Sequence, residues 1–530
     1  MQKFIKIFTN ETSIFLYMLA YLILGFMTIC PFLSGIKFVD YYSHIVKFWG
    51  IVLIIACAFN KEKYRLNKYL IIVILFIASY FISCFFSIEY GGFFNNFKGI
   101  IWILIQALFF GSVINKNMIK VWFPRFLFVF LGISTIQLIL SLVIAVIGLA
   151  YIPTITGSDV LWFGMLTSRN YGIYKDPTYG SICCCLSIYA ILYIAYKYKF
   201  KTFAFALILL NLIYISLSGS RTVFVAFCIS ILCFSIVVVF CAKSKDKKIS
   251  TIRKWVFSIT TSSVIAVLVL VFILCVNWGY QKVEPIILKN IGGSICSQEV
   301  IFSNSLSDRV NSAQNLESLT SAQKEVLLKG TDKDRASDSD LYSVFSNDNK
   351  SSESNTLAAN GSTQETDQGE LSQYSRGDAD ISNNRFALWA SFLKVWKLSP
   401  VFGFGRYNVL NYINTNLTDS RAFQMQQTTS HNVFIDVLYS QGLIGLILFV
   451  TIIFITLSRF ISLIKRFYKS KMTQNYFYVS CVFAMFLSIL LSGLFYPEII
   501  YINTVGSAFF WIIVGIVYSE WVLSSSKKLK

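Results

Sequence analysis

Long apolar stretches follow one another along most of the chain. Twelve of them approach or reach the roughly 20 mostly apolar residues that a membrane-spanning helix needs. The predicted spans are 14–32, 42–59, 69–88, 99–114, 126–150, 179–196, 202–217, 222–242, 255–278, 442–457, 476–495 and 500–523. The pattern predicts an all-α polytopic membrane protein with about 12 transmembrane helices and one large extracytoplasmic loop between helices 9 and 10.

That loop divides the predicted organisation into three parts. A membrane domain at 1–278 holds helices 1–9, the extracytoplasmic loop covers 279–430, and a second membrane domain at 431–530 holds helices 10–12. The centre of the loop, about 303–384, is rich in Ser, Asp, Asn, Gln and Thr. Such a composition buries too little apolar surface to offset its ordering entropy, so we expect a flexible segment.

An amphipathic helix is predicted near the end of the loop, at about 384–399. Apolar residues recur there at steps of three and four, namely Phe386, Trp389, Leu393 and Trp396. The opposite face is hardly polar, so we expect the helix to lie at the membrane surface. Pro400 ends it.

Lys and Arg collect in every second connection between the spans. Those segments hold 26 of the 46 basic residues, whereas only six lie toward the other side outside the long loop, one of them, Lys47, within the second predicted span. Because cytoplasmic loops retain basic residues during insertion, both termini are predicted to be cytoplasmic and the long loop to lie outside. This distribution also accounts for the net charge of +19. A nucleic-acid partner would need a concentrated basic face, so none is expected.

Several outer segments carry unusual chemistry. LTSRNYGIYKDPTYGS contains Arg169 and Asp176, SLSGSRTVF contains Arg221, and TTSHNVFIDVLYSQGLIGLILF contains His431, one of only two histidines. An arginine at a membrane boundary is often only a snorkelling anchor. A histidine in this place is also consistent with a helix cap near Asn432.

The sequence resembles the O-antigen ligase and O-antigen polymerase superfamily of bacterial membrane glycosyltransferases. The resemblance is carried by RNYGIYKDPTYGS, SGSRT, RFALWASFLKVWKLSPVFGFG and HNVFIDVLYSQGLIGL, and by the arrangement of spans and loop. It implies transfer of a glycan from undecaprenyl pyrophosphate to an acceptor hydroxyl, outside the bacterial cytoplasmic (inner) membrane. It also implies that Arg221, Arg385 and Arg169 bind the donor pyrophosphate and that His431 is the general base.

The chemistry agrees with these residue types. Guanidinium groups stay charged and hold a departing pyrophosphate bidentately, and a neutral histidine can take the acceptor proton. An inverting enzyme without cofactor or metal is therefore expected. The DSD motif at Asp338 and the DAD motif at Asp378 lie in the acidic, low-complexity part of the loop, where such motifs arise by chance.

The expected partners are the lipid-linked oligosaccharide donor, a glycan acceptor, membrane lipids and a possible chain-length regulator. Polymerisation of surface polysaccharide, O-antigen or capsule, is favoured. A ligase would need a lipid A-core acceptor, of which the sequence gives no sign. A ligase and a protein O-oligosaccharyltransferase remain alternatives. A flippase for lipid-linked oligosaccharide is the alternative from another class, but no internal repeat is visible and the spans are nearly free of charge.

Overall fold

The structure is a computed structural model, and parts of the chain lie outside its description. The described residues are 5, 8–34, 36–60, 68–110, 121–147, 149–151, 163–166, 169–244, 251–290, 300–302, 385–424, 428–469, 473–497 and 499–518. The loop centre predicted at 303–384, with its DSD and DAD motifs, lies outside these residues.

Helices make up most of the described chain. The α-helices are α1 (Glu11–Ile29), α2 (Pro31–Ser34), α3 (Lys37–Ala58), α4 (Lys68–Ser83), α5 (Phe93–Ile103), α6 (Phe123–Ile147), α7 (Pro177–Tyr198), α8 (Lys201–Leu217), α9 (Arg221–Ser244), α10 (Thr251–Asn290), α11 (Arg385–Trp396), α12 (Val409–Asn416), α13 (Arg421–Gln424), α14 (Val433–Lys469), α15 (Thr473–Ser492) and α16 (Val505–Tyr518). A 3-10 helix covers Ile88–Tyr90, and a π-helix at Leu104–Phe110 continues α5.

The described residues contain seven helices that are long and apolar enough to cross a membrane. These are α1, α3, α6, α7, α9, α10 and α14, and shorter apolar helices lie in α4, α5, α8, α15 and α16. A helix is therefore present at every predicted apolar stretch, which agrees with an integral membrane protein. That all twelve cross the bilayer stays a prediction.

The helices are buried to very different degrees. Almost all of α7 and α16 is buried, with Trp511 of α16 fully enclosed. In contrast, α10 turns apolar side chains such as Val264 and Leu268 outward. An outward apolar face suits a helix that contacts lipid, whereas α7 and α16 form the interior of the bundle.

A small antiparallel sheet was not predicted. Its strands are β1 (Leu149–Tyr151), β2 (Phe163–Leu166), β3 (Arg169–Gly172) and β4 (Val300–Phe302), in the order β3-β2-β1-β4. β4 comes from the predicted extracytoplasmic loop and pairs with β1, which follows α6. The sheet therefore joins part of that loop to the segment that carries Arg169.

The predicted amphipathic helix is present as α11, and it packs against protein. Leu388, Phe392 and Val395 are buried together with Phe404 and Tyr439, whereas Phe386 is 67% exposed. The face with Leu388, Phe392 and Val395 thus docks on α14, and Ser391 is buried with it.

Candidate active site

Four helix ends meet at one end of the bundle. α7, α9 and α14 begin there, and α15 ends there. The backbone N–H of Val433 donates to the carbonyl of Gly493, 2.8 Å away, which ties the start of α14 to the end of α15. The hydroxyl of Ser220, just before α9, donates to Thr178 in the first turn of α7 at 3.3 Å. The polar residues of the predicted site therefore lie on a packed frame.

Asp176 caps the first of these helices. Its carboxylate accepts the backbone N–H of Thr178 at 2.7 Å, and Pro177 occupies the first helical position, where the lack of an N–H costs nothing. In the first turn of α7, Ser181 donates to the hydroxyl of Ser218 at 2.7 Å. The SGSR turn before α9 is thereby fixed to the start of α7.

Arg169 lies at the beginning of β3 and contacts the same turn. Its Nε donates to the carbonyl of Ser218 at 3.2 Å, and its guanidinium carbon lies 5.7 Å from the ring centre of Tyr171. Arg169 is only half-buried. It therefore presents charge at the site while one N–H holds it in place.

Arg385, the first residue of α11, reaches across to α9. Its Nη1 donates to the hydroxyl of Thr222 at 3.2 Å, and its guanidinium carbon lies 5.5 Å from the ring centre of Phe495. Burial is the main cause that lowers the pKa of Arg385 below its ordinary value, while Asp176 acts to raise it and Arg169 to lower it further. Arg385 is thus within electrostatic reach of both residues.

Arg221 has a different setting. It is the first residue of α9, directly before Thr222, and its side chain is exposed. The structure therefore places Arg221 beside the residue that Arg385 contacts, at the open edge of the cluster.

His431 does not cap α14, because Asn432 does. The side-chain oxygen of Asn432 accepts the backbone N–H groups of Phe434 and Ile435 at 2.9 and 3.2 Å. His431 itself has a left-handed backbone with φ 54°. That conformation is unusual for a residue with a side chain and is often found at functional sites.

The surroundings of His431 favour the neutral form of its imidazole. Burial is the main cause that lowers its pKa, and the charge of Arg385 lowers it further, against the opposite influence of Asp436 and Asp176. Nε2 is buried without a hydrogen-bond partner among the described residues. The ring packs against Tyr496 at 5.9 Å between centres. A neutral ring with a free nitrogen can accept a proton.

Asp436 is a site residue that sequence reasoning missed. Its Oδ1 accepts the backbone N–H and the hydroxyl of Ser430 at 2.8 and 2.6 Å. Its Oδ2 accepts the hydroxyl of Thr429 at 2.7 Å and Nη1 of Arg406 at 3.0 Å. Asp436 thus orients the two residues before His431. The sequence did contain a sign of this role, because Asp436 is an acidic residue inside an apolar run, five residues after His431.

The segment that carries Arg406 is bonded to a break in α14. Gly442 interrupts the helix with φ 66° and ψ −167°. Four main-chain hydrogen bonds cross the break: Phe404 N to Tyr439 O at 2.7 Å, Gly405 N to Ser440 O at 3.0 Å, Leu443 N to Pro400 O at 2.8 Å and Ile444 N to Val401 O at 3.3 Å. Gly403 and Gly405 have φ values of 82° and 81°, in the left-handed region that favours glycine.

The comparison with family models agrees with this site. Residues 203–450 match the model described as O-antigen ligase. This match supports the O-antigen ligase and polymerase superfamily. The resemblance seen in the sequence is thus confirmed, and the matched residues of this family include Arg221, Arg385 and His431. Neither the search of curated proteins nor the search of solved structures finds a match.

The family is one of membrane glycosyltransferase-type enzymes that act on lipid-linked glycans and acceptors, so the coarse function expected from the sequence is supported. Of the four predicted residues, Arg169, Arg385 and His431 share one neighbourhood with Asp176, and Arg221 lies at its edge. Their individual roles stay predictions. Within the described part of the chain, no group of three or more His, Cys, Asp and Glu residues is arranged to hold a metal ion.

Proposed function

We propose that the protein transfers an undecaprenyl-pyrophosphate-linked glycan to an acceptor sugar hydroxyl outside the cytoplasmic membrane and so polymerises surface polysaccharide. The observation that carries the proposal is the position of His431. A half-buried imidazole, whose pKa is lowered by burial and by the charge of Arg385, lies at one end of a helix bundle. A base beside a fixed cation is the arrangement that a sugar-pyrophosphate donor and a hydroxyl acceptor require.

The arginines bind the donor in this proposal. Arg385 and Arg169 are each held by one hydrogen bond, at Thr222 and Ser218, which leaves further N–H donors for phosphate oxygens. Exposed Arg221 completes the set from the open edge. Because an arginine stays charged at any physiological pH, the group also stabilises the pyrophosphate as it departs.

His431 activates the acceptor. It takes the hydroxyl proton as the acceptor oxygen bonds to the anomeric carbon, and the bond to the pyrophosphate oxygen breaks with its electron pair. The leaving group departs as an anion beside the arginines, and the proton is then released from the imidazole to solvent. Attack opposite the leaving group inverts the anomeric configuration.

The decisive test uses purified protein with lipid-linked donor and acceptor, and measures release of undecaprenyl pyrophosphate. We expect His431→Ala to lose about 10² to 10⁴ in turnover. The matched control is His44→Ala, because His44 is the only other histidine and its ring in α3 is exposed. Its Nδ1 lies 2.7 Å from the carbonyl oxygen of Asp40 in the same helix. Normal turnover by His431→Ala would overturn the proposal.

An experiment in cells distinguishes polymerase function from ligase function. In a deletion strain, loss of long polymer with survival of single repeats would indicate a polymerase. Long polymer left on its lipid carrier would indicate a ligase instead. The protein-glycosylating alternative would leave both polysaccharide forms unchanged.

A further inference from the structure

Trp389 follows Arg385 by one turn of α11, so both side chains leave the same face of the helix. Both also contact Phe495. The guanidinium carbon of Arg385 lies 5.5 Å from its ring centre, and the Trp389 ring lies 6.4 Å from it with the planes 27° apart. The indole and the proposed pyrophosphate ligand are therefore neighbours on one phenyl ring.

Aromatic residues continue from Phe495 to the histidine. The next residue, Tyr496, has its ring centre 5.9 Å from that of His431 and 5.0 Å from that of Tyr179. We name Trp389, Phe495 and Tyr496 the aromatic wall. It connects the surroundings of Arg385 with the imidazole.

The indole N–H of Trp389 is buried and finds no acceptor among the described residues. An indole N–H can only donate, and a buried donor that has given up water without gaining a partner is destabilising. Other indoles in the described chain are paired: Trp396 donates to the carbonyl of Pro400 at 3.0 Å, and Trp511 to that of Ile499 at 3.1 Å. An oxygen atom of a bound ligand is therefore a candidate acceptor for this N–H, which no described residue satisfies.

A sugar ring meets both requirements of this place. Its C–H faces pack on aromatic rings, and its hydroxyl and ring oxygens accept hydrogen bonds. Trp389 lies about 6 Å beyond Arg385 along the helix axis, a separation of four residues. That spacing suits a phosphate at Arg385 and the sugar that it carries at Trp389.

We propose that the aromatic wall is a subsite for the sugar attached directly to the donor pyrophosphate, with Nε1 of Trp389 donating to one of its oxygens. The inference rests on the proposed function, because it takes Arg385 as the pyrophosphate ligand. The new element is the sugar next to the pyrophosphate, which is the part of the donor that the aromatic wall recognises. Donor recognition then depends on the first sugar as well as on the charge of the pyrophosphate.

The test measures binding of two lipids to the full-length protein in nanodiscs. One is the lipid-linked glycan purified from a deletion strain, and the other is undecaprenyl pyrophosphate without sugar. Trp389→Phe keeps an aromatic ring but removes the N–H and the second ring of the indole, so we expect its dissociation constant for the glycan lipid to rise about three- to tenfold. Its affinity for the sugar-free lipid should not change, which also shows that the variant is folded. Trp389→Ala should lose more.

Trp396→Phe is the matched control, because it removes an indole N–H whose partner is a backbone carbonyl; both affinities should stay as in the wild type. The subsite is overturned if Trp389→Phe leaves both affinities unchanged, weakens both equally, or alters only the Michaelis constant of the acceptor. A wild-type protein that binds the two lipids equally tightly also overturns it. A wild-type protein that binds neither lipid overturns the proposed function itself.

Discussion

Arg406 and Asp436 form a buried ion pair across the candidate site. The Nη1 and Oδ2 atoms are 3.0 Å apart, and the side chains are 7% and 1% exposed. Burial acts to lower the pKa of Arg406, but Tyr439 and Asp436 together hold it above its ordinary value. The same carboxylate accepts two hydrogen bonds from Ser430, next to His431. The pair therefore joins the Arg406 segment to the residue that precedes the proposed base.

Removing one partner of this pair should be severely destabilising. Asp436→Ala leaves the Arg406 charge buried and frees three hydrogen-bond donors, so we expect a loss of about 3–5 kcal/mol in the free energy of unfolding. Thermal unfolding in detergent measures it. Asp419→Ala is the control, since Asp419 is exposed and its loss should change little. Equal melting temperatures for the two variants would refute the structural role given to the pair.

The pH dependence of turnover should follow the neutral form of His431. Its pKa is lowered from the ordinary value of 6.5, chiefly by burial and then by Arg385. A base works above its pKa, so activity should persist at pH 6.5 and decline only as the pH falls further. The residual rate of His431→Ala should lack this decline. A wild-type rate already falling above pH 6.5 would contradict the lowered pKa.

Arg385 contributes to that low pKa through its charge. Arg385→Gln should raise the pKa of His431, whereas Arg385→Lys keeps a positive charge and should change it less. With only two histidines in the chain, NMR of ¹³C-labelled histidine in the His44→Ala background follows the ring directly. Both variants should lose turnover, because lysine lacks the planar guanidinium fork. An unchanged pKa of His431 in Arg385→Gln would show that the charge of Arg385 does not act on the imidazole.

Gly442 should not tolerate a side chain. Its φ is 66°, and a Cβ there would overlap the carbonyl oxygen of Val401. We expect Gly442→Ala to cost at least about 1–3 kcal/mol in the free energy of unfolding. Gly132 is the control, because it lies within α6 and a Cβ added there meets nothing within 4 Å. Chemical denaturation of both variants compares them, and equal stability would argue against the break in α14.

Topology is testable with reporter fusions. The distribution of basic residues predicts a cytoplasmic reporter after Lys469, at the end of α14, and an external one at Asn349, which lies outside the described residues. A reporter after Lys469 that is active only outside the cell would reverse the orientation and place the His431 cluster at the cytoplasmic face.

The sequence predicted the helices well because apolar length alone identifies them. The predicted span at 442–457 begins at Gly442, where α14 is broken, although α14 as a whole begins at Val433. Gln441 is polar, yet it is buried: its Nε2 donates to Tyr501 at 2.6 Å, and its Oε1 accepts from Ser79 at 2.7 Å. A polar residue with such partners is compatible with a buried helix, and a hydropathy pattern cannot show the partners.

The candidate site shows a similar division. Arg385 and His431 were predicted as site residues because a family motif surrounds them. Arg169 was predicted because its segment is unusually charged. The pairing of Arg406 with Asp436 was missed, because the two residues are separated by 30 positions and their meeting depends on the break in α14. The same holds for Trp389, because its partner Phe495 follows α15, far along the chain from α11.

The four hydrogen bonds across the break in α14 involve only main-chain atoms. Side chains such as Val401 and Phe402 can therefore drift during evolution while the register between this segment and the helix stays the same. A chain with other side chains at these positions would still hold Arg406 beside α14, because none of the four bonds depends on a side chain. The position of Arg406 therefore depends on the shape of the backbone and on the glycines that allow it, and less on the other side chains of the segment.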